Sequence, residues 1–278
     1  MKLKTKIAGG LLAAGLGLGA MQASAAMITE WSFTVTGAWN TASGATSFTA
    51  GGSSGNPDVQ SSIISWGTSS GSLDPASNPD RSGLEVVGSP VSGPIFTNLG
   101  PADTVEVVHY NNSISAGFST LMSAEFLTSL TLTPVAPAPG APFAPVGATL
   151  PITFTETLNQ SAANCGFTQI GAVGCDDIFV VTLPEELSFS FDFDGFTYTT
   201  LIGATGLGPL GENICGEAGA DDGCVGLVTQ EGATSDVQFN FSISAVEIPV
   251  GVPAPATLAL MGMSLLGLGT LARRRRSS

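Results

Sequence analysis

Three stretches alternate large apolar with small polar residues at a period of two: Trp31-Ser32-Phe33-Thr34-Val35-Thr36, Phe189-Ser190-Phe191-Asp192-Phe193 and Phe239-Asn240-Phe241-Ser242-Ile243. Successive side chains of a strand point to opposite faces, so each stretch makes a strand with one buried, aromatic face. A helix would scatter the same rings around its circumference. The Asp194-Gly195 dipeptide that follows the second comb, with a further strand pattern over residues 196–202, signals a two-residue hairpin. Shorter runs at 63–66, 84–87, 105–110, 152–158, 178–183, 187–193 and 237–246 also read as strands. Residues 119–132 fit either state, with Thr128, Thr131 and Thr133 favouring strand. Gly37 and then residues 41–44 are expected to break the first strand, 51–57 to form a loop, and 67–83 a long polar turn region. Five prolines between 134 and 145 predict an extended connector dividing the chain into two halves. The fold class expected is all-β: an antiparallel β-sandwich, with a jelly roll among its arrangements.

The two ends differ from this body. Lys2, Lys4 and Lys6 precede an apolar run over 7–20 and the small residues Ala23-Ser24-Ala25. That is the pattern of a secretory signal peptide (residues 1–26), which implies export through the Sec machinery. At the other end, residues 256–272 carry no charge. As a helix they would span roughly 25 Å, the short limit for crossing a bilayer core. Pro253 and Pro255 mark the start of this helix. Arg273, Arg274, Arg275 and Arg276 follow it and, by the positive-inside tendency, stay cytoplasmic. The expected organisation is a signal helix, an exported domain over 27–250, and a tail over 251–278 with a transmembrane helix.

Between these ends the charge balance is one-sided. Of 8 basic residues only Arg81 lies in the body, against all 22 acids, a formal charge of −21. A surface of this kind excludes nucleic-acid binding by counterion release and docking on anionic lipid. It suits a self-repelling exported protein or one that meets divalent cations. The four cysteines number evenly, as disulfides in an oxidising compartment do. Local pairs Cys165–Cys175 and Cys215–Cys224 are the first choice, with the other two connectivities open. A short loop of this kind contributes roughly 2.7 kcal/mol on a chain-entropy model.

Few residues carry chemistry. Asp176 and Asp177 beside one cysteine, and Glu217, Asp221 and Asp222 within the other loop, could offer oxygen ligands to Ca²⁺. Solvated acidic loops are the preferred reading, and no metal or cofactor is assigned. His109, the only histidine, is read as a structural group holding a turn. The competing role is a general base with Asp103 or Glu106, although no GxSxG or HExxH stretch is present. No catalytic residue is assigned. Trp31, Trp39 and Trp66 could form a sugar-stacking face, but alternation puts Trp31 in the core. Threonine pairs such as Thr34/Thr36 and Thr131/Thr133 suggest an ice-binding array, but they follow no constant period.

The Pro-x-Pro, short apolar helix and terminal Arg cluster resemble the PEP-CTERM sorting signal of Gram-negative bacteria, with Ala254 where that family has Glu. The resemblance implies recognition by an exosortase, a membrane transpeptidase-like enzyme. It also implies an inner-membrane intermediate and final sorting to the cell surface or extracellular matrix. Val108-His109-Tyr110-Asn111 is similar to the Thr-His-x-Asn mark of the THxN subgroup, with His109 and Asn111 matching. Residues 64–68 (ISWGT) and 175–179 (CDDIF) are similar as well. The subgroup carries no assigned activity. The function expected is a structural or adhesive component of the envelope or matrix, with extracellular polysaccharide as a partner. A carbohydrate-, Ca²⁺- or ice-binding module is the alternative, and a secreted hydrolase ranks third.

Overall fold

Alternation along Glu30–Trp39 (β1) buries Trp31, Phe33, Val35 and Trp39 on one face and leaves Ser32, Thr34 and Thr36 on the other. The computed structural model describes residues 26–51, 55–157, 159–160, 162–171, 174–182 and 188–249. The expected signal peptide and the sorting tail, with Pro253, Ala254, Pro255, Arg273, Arg274, Arg275 and Arg276, lie outside the described residues. Among the described residues no helix is long and apolar enough to cross a membrane.

After β1 come the short strands Ser47–Phe48 (β2) and Asp58–Val59 (β3), then Ile63–Gly67 (β4), Arg81–Val87 (β5), Val91–Phe96 (β6) and Ala102–Asn111 (β7). Leu121–Ala136 (β8), Val146–Thr155 (β9), Asp177–Val181 (β10), Ser188–Phe193 (β11) and Phe196–Thr205 (β12) follow. Gly208–Pro209 (β13), a short helix Glu212–Glu217 (α1), Val225–Thr229 (β14) and Ala233–Glu247 (β15) complete the order. The strands make two curled antiparallel sheets. The first runs β13-β14-β10-β9-β8-β1-β6, with β2 beside β8; the second runs β11-β12-β15-β7-β5-β4-β3.

The inner faces meet through rings. Trp31 stands edge-on to Tyr198 with centroids 5.0 Å apart, Phe33 edge-on to Phe241 at 5.1 Å, and Phe126 stacks on Phe239 at 5.4 Å. Each pair joins the first sheet to the second. Full burial of such a ring contributes about 1.5–3 kcal/mol, with a further 0.5–1.5 kcal/mol from the pair geometry.

The structure departs from the sequence reading at several points, each with a physical cause. β1 does not break at Gly37. A Cβ there would lie 2.7 Å from the Phe126 ring and 2.9 Å from Val105, so the glycine makes room for a facing aromatic. The proline-rich segment is a return between neighbours, because β8 and β9 pair directly. It bends back on β8 through Phe143 N–H to Leu132 O (2.8 Å). Phe143 thereby packs against Trp31 and Phe191. Of residues 119–132, all from Leu121 on are strand within β8, and β6 and β14 are strands that no comb marked. The Asp194-Gly195 hairpin forms as read, with φ of 48° and 79° at its two central residues.

Disulfides join Cys165 to Cys175 and Cys215 to Cys224. The segments they pin carry Phe167 and Ala218 onto the outer face of β10, against Ile178 and Val180. β10 is therefore buried on both faces, which explains its unbroken apolar run.

Phe126→Ala should cost about 3–5 kcal/mol in chemical denaturation, since it empties the centre of the inter-sheet layer. Val246→Ala, at a residue 71 % exposed, should stay within about 0.5 kcal/mol.

Candidate functional site

The inner faces turn polar at one end. On β7 the inward residues are Val105, Val107, His109 and Asn111, so the comb changes from apolar to polar over its last two positions. On the opposite sheet Phe154, Phe179 and Leu227 form one cross-strand row. Moving one step outward on the same face, Glu156 follows Phe154 by period two, Asp177 precedes Phe179, and Thr229 is paired with Asp177. Glu156, Asp177 and Thr229 therefore stand side by side, facing His109 and Asn111.

The contacts are specific. His109 Nδ1 and Thr229 Oγ1 share a hydrogen bond of 2.9 Å, and Asn111 Nδ2 donates to Thr229 O at 3.0 Å. Trp66 Nε1 donates to Glu156 Oε2 at 2.9 Å, and Thr157 N–H donates to Asp177 Oδ1 at 2.8 Å. The His109 ring lies edge-on to Phe154 (5.0 Å) and stacked beside Trp66 (6.2 Å). Glu231, in the turn from β14 to β15, stands near Ser113 and Asn159, which are bonded to each other at 3.2 Å. Among the described residues, His109 Nε2, Asn111 Oδ1, Glu156 Oε1 and Asp177 Oδ2 are buried without a hydrogen-bond partner.

Burial dominates the electrostatics. It holds the His109 imidazole neutral, with its pKa lowered to about 3. It raises Glu156 to about 7, helped by the charge of Glu231 and opposed by the Trp66 hydrogen bond. Burial and then the Glu156 charge raise Asp177 well above the ordinary carboxylate range, while Thr157 opposes. Burial also raises Glu231, with the charge of Asp176 adding and hydrogen bonds from Ser113 and Asn159 opposing.

The residues singled out in the sequence separate accordingly. His109 and Asn111 converge on one residue of the other sheet and brace the two sheets together. Val108 and Tyr110 face outward, where Tyr110 OH donates to Glu85 Oε2 at 2.9 Å. The acid partners considered for His109 are elsewhere: Glu106 has the opposite strand parity, and Asp103 lies six residues back, about 20 Å along the strand. Asp176 and Asp177 do not form a solvated acidic loop, because both are 0 % exposed. The Asp176 carboxylate accepts the backbone N–H groups of Ile170 and Gly171, clamping the loop closed by Cys165–Cys175. Asp221 and Asp222 are exposed on the Cys215–Cys224 turn. Trp31, Trp39 and Trp66 are 0 %, 1 % and 0 % exposed, so they form no outward sugar-stacking face.

Glu156 and Glu231 went unmarked in the sequence. The parity Ile152-x-Phe154-x-Glu156 did carry a signal for the first; Glu231 sits in a polar turn that carries none. Elsewhere between the sheets are two apolar clefts of about 330 and 300 Å³. One is walled by Leu132, Phe143 and Phe189, the other by Leu150, Ile202 and Leu207. No protein-family model matches the chain, and no curated protein is significantly similar to it.

The shifted groups set the pH profile in chelator-containing buffer. Glu156, raised to about 7, and Asp177 and Glu231, both raised, keep protons in the folded state that the unfolded chain has released, so stability falls as pH rises above the ordinary carboxylate range, with the Glu156 contribution lost through about 7. His109 acts oppositely: the unfolded chain takes up its proton below about 6.5, the folded state only near 3. The three carboxyls outweigh the one imidazole until their ordinary values are passed. Thermal melts should therefore show a maximum near pH 4 to 5. Glu156→Gln should flatten the alkaline limb and His109→Gln the acid limb.

Proposed function

We propose that this chain is an exported structural or adhesive component of the cell envelope or extracellular matrix, and that it contacts a hydrated polymer through the outer face of its first sheet. The reading carries with it the β-sandwich description of the two facing sheets. It also carries membership of the THxN-type PEP-CTERM proteins, sorted by an exosortase-type enzyme.

The observation behind it is the composition of that face. Ser92, Thr34 and Thr131 stand opposite one another across β6, β1 and β8; Thr36 stands opposite Ser129, and Ser32 opposite Thr133. Thr34 and Ser92 hydroxyls bond at 2.9 Å, and Thr36 and Ser129 at 2.7 Å. The result is an uncharged, hydroxyl-lined patch on a body otherwise dominated by acids. The one basic residue of the body, Arg81, is 0 % exposed and bonds Asn56 O, Thr68 O and Ser65 Oγ. Contact through salt bridges from basic side chains is therefore not a resource of this surface. Hydroxyl groups can exchange hydrogen bonds with a neutral polysaccharide at little desolvation cost. The two disulfides suit an oxidising, extracellular setting.

The alternative that shares this observation is an ice-binding surface. Cross-strand spacing of about 4.8 Å and i, i+2 spacing of about 6.8 Å turn the hydroxyls into a two-dimensional lattice. Inhibition of ice recrystallisation by the purified ectodomain, without retention on polysaccharide, would select it.

Thr34→Glu places a charge in the patch at an exposed position. It should leave the melting temperature within a degree or two and weaken retention on extracellular polysaccharide roughly tenfold, about 1.4 kcal/mol. Unchanged retention would refute the assigned contact face. Deleting residues 252–278 should release the protein from the membrane fraction; unaltered fractionation would defeat the sorting reading.

A further inference from the structure

Buried carboxylates need neutralisation by a proton, a basic side chain or a bound cation. The described body supplies no basic side chain to the Glu156–Asp177 row. Arg81 is its single lysine or arginine, and that guanidinium is held by Asn56, Thr68 and Ser65. The one histidine stands beside the row but is enclosed by Phe154, Trp66 and Thr229. An additional oxygen points to a ligand independently of the acids. Asn111 is 0 % exposed, and its amide nitrogen is anchored on Thr229, the cross-strand neighbour of Asp177; its carbonyl Oδ1 is left unpartnered. A neutral amide oxygen buried without a donor is destabilising unless something accepts its lone pairs.

We propose that Asp177 Oδ2, Glu156 Oε1 and Asn111 Oδ1 form a site for one hard divalent cation of the Ca²⁺ type. All three are oxygen donors, the ligand class such ions take. Among the described residues no three Asp, Glu, His or Cys side chains converge as a ready ligand set. The site accordingly uses two carboxylates and an amide oxygen, and water completes the coordination. Glu156 and Glu231 are only partly buried as whole residues, whereas Asp177 and Asn111 are fully buried. The two fixed carboxylate contacts, from Trp66 and Thr157, leave the other oxygen of each carboxylate free for the ion. Occupancy would brace the two sheets at the end where His109 and Asn111 already join them. This assignment does not depend on the hydroxyl-lined face or on sorting.

Tb³⁺ is a suitable probe because Trp66, whose indole bonds Glu156, stands within energy-transfer range of the site. Chelator-treated protein titrated with Tb³⁺ should give saturable luminescence on tryptophan excitation, displaced by Ca²⁺. Asp177→Asn, which keeps the side-chain shape, should abolish it, as should Glu156→Gln. Trp66→Phe, which takes away both the sensitising indole and the hydrogen bond that fixes Glu156, should lower the sensitised signal and weaken Ca²⁺ binding by calorimetry. Asp221→Asn with Asp222→Asn, on the exposed turn, should change none of these. At pH 7.5, Ca²⁺ should raise the melting temperature of the natural sequence and leave that of Asp177→Asn unmoved. Tb³⁺ luminescence that survives Asp177→Asn would overturn the proposal. So would equal melting temperatures with Ca²⁺ and with chelator, which would mean that protons alone neutralise the row.

Discussion

The layer of rings between the sheets is the contact on which the other features rest. Trp31 meets Tyr198, Phe191 and Phe143; Phe33 meets Phe241; Trp39 and Phe126 continue to Phe239; Trp66 meets Phe154. These pairs come from strands far apart in sequence, and their size sets the distance between the sheets. Gly37 is legible only against this layer, since its missing Cβ is the space taken by Phe126. Indole nitrogens inside the layer are satisfied locally, Trp31 by Thr97 Oγ1 and Trp39 by Leu84 O, so the rings can be fully buried at little polar cost.

Where the layer ends, the same strand geometry presents polar side chains to the interior. Period two does not distinguish Phe154 from Glu156 or Val107 from His109; both members of each pair face inward. The outcome is a row of acids opposite a neutral imidazole and an amide, in a body whose one arginine is committed elsewhere. The scarcity of cations thus acts twice. It leaves the surface anionic apart from a hydroxyl-lined patch, and it leaves the interior acids to protons or a bound ion. The disulfide-pinned segments add a second, smaller core behind β10, which keeps Asp177 within a strand buried on both faces.

Much of the architecture was legible because burial and strand period leave a direct trace in residue order. β1, β11 and β15 carry that trace in their aromatics, and the Asp194-Gly195 turn carries it in its need for positive φ. β6, with Val91, Gly93 and Pro94, and β9 from Val146 to Pro151 carry little of it. One lies at a sheet edge; the other has a partner on only one side over much of its length. The proline-rich segment read as a spacer because proline content reports local stiffness and says nothing about which strands flank it. His109 and Asn111 were visible as a motif, yet their partner, Thr229, lies in another sheet more than a hundred residues away, beyond the reach of any local pattern.

Residue order alone therefore settles the all-β character, the inward set of each comb, the hairpin turn and the one-sided charge, because each follows from chain geometry over a few residues or from composition. Tertiary pairing settles the rest. Thr36 and Ser129, 93 residues apart, become a bonded pair in an array that has no period along the chain. Asp177 becomes a buried acid, although its neighbours in sequence suggest a solvated loop. Both outcomes come from cross-strand register, a long-range choice made by the aromatic layer that brings the two sheets together.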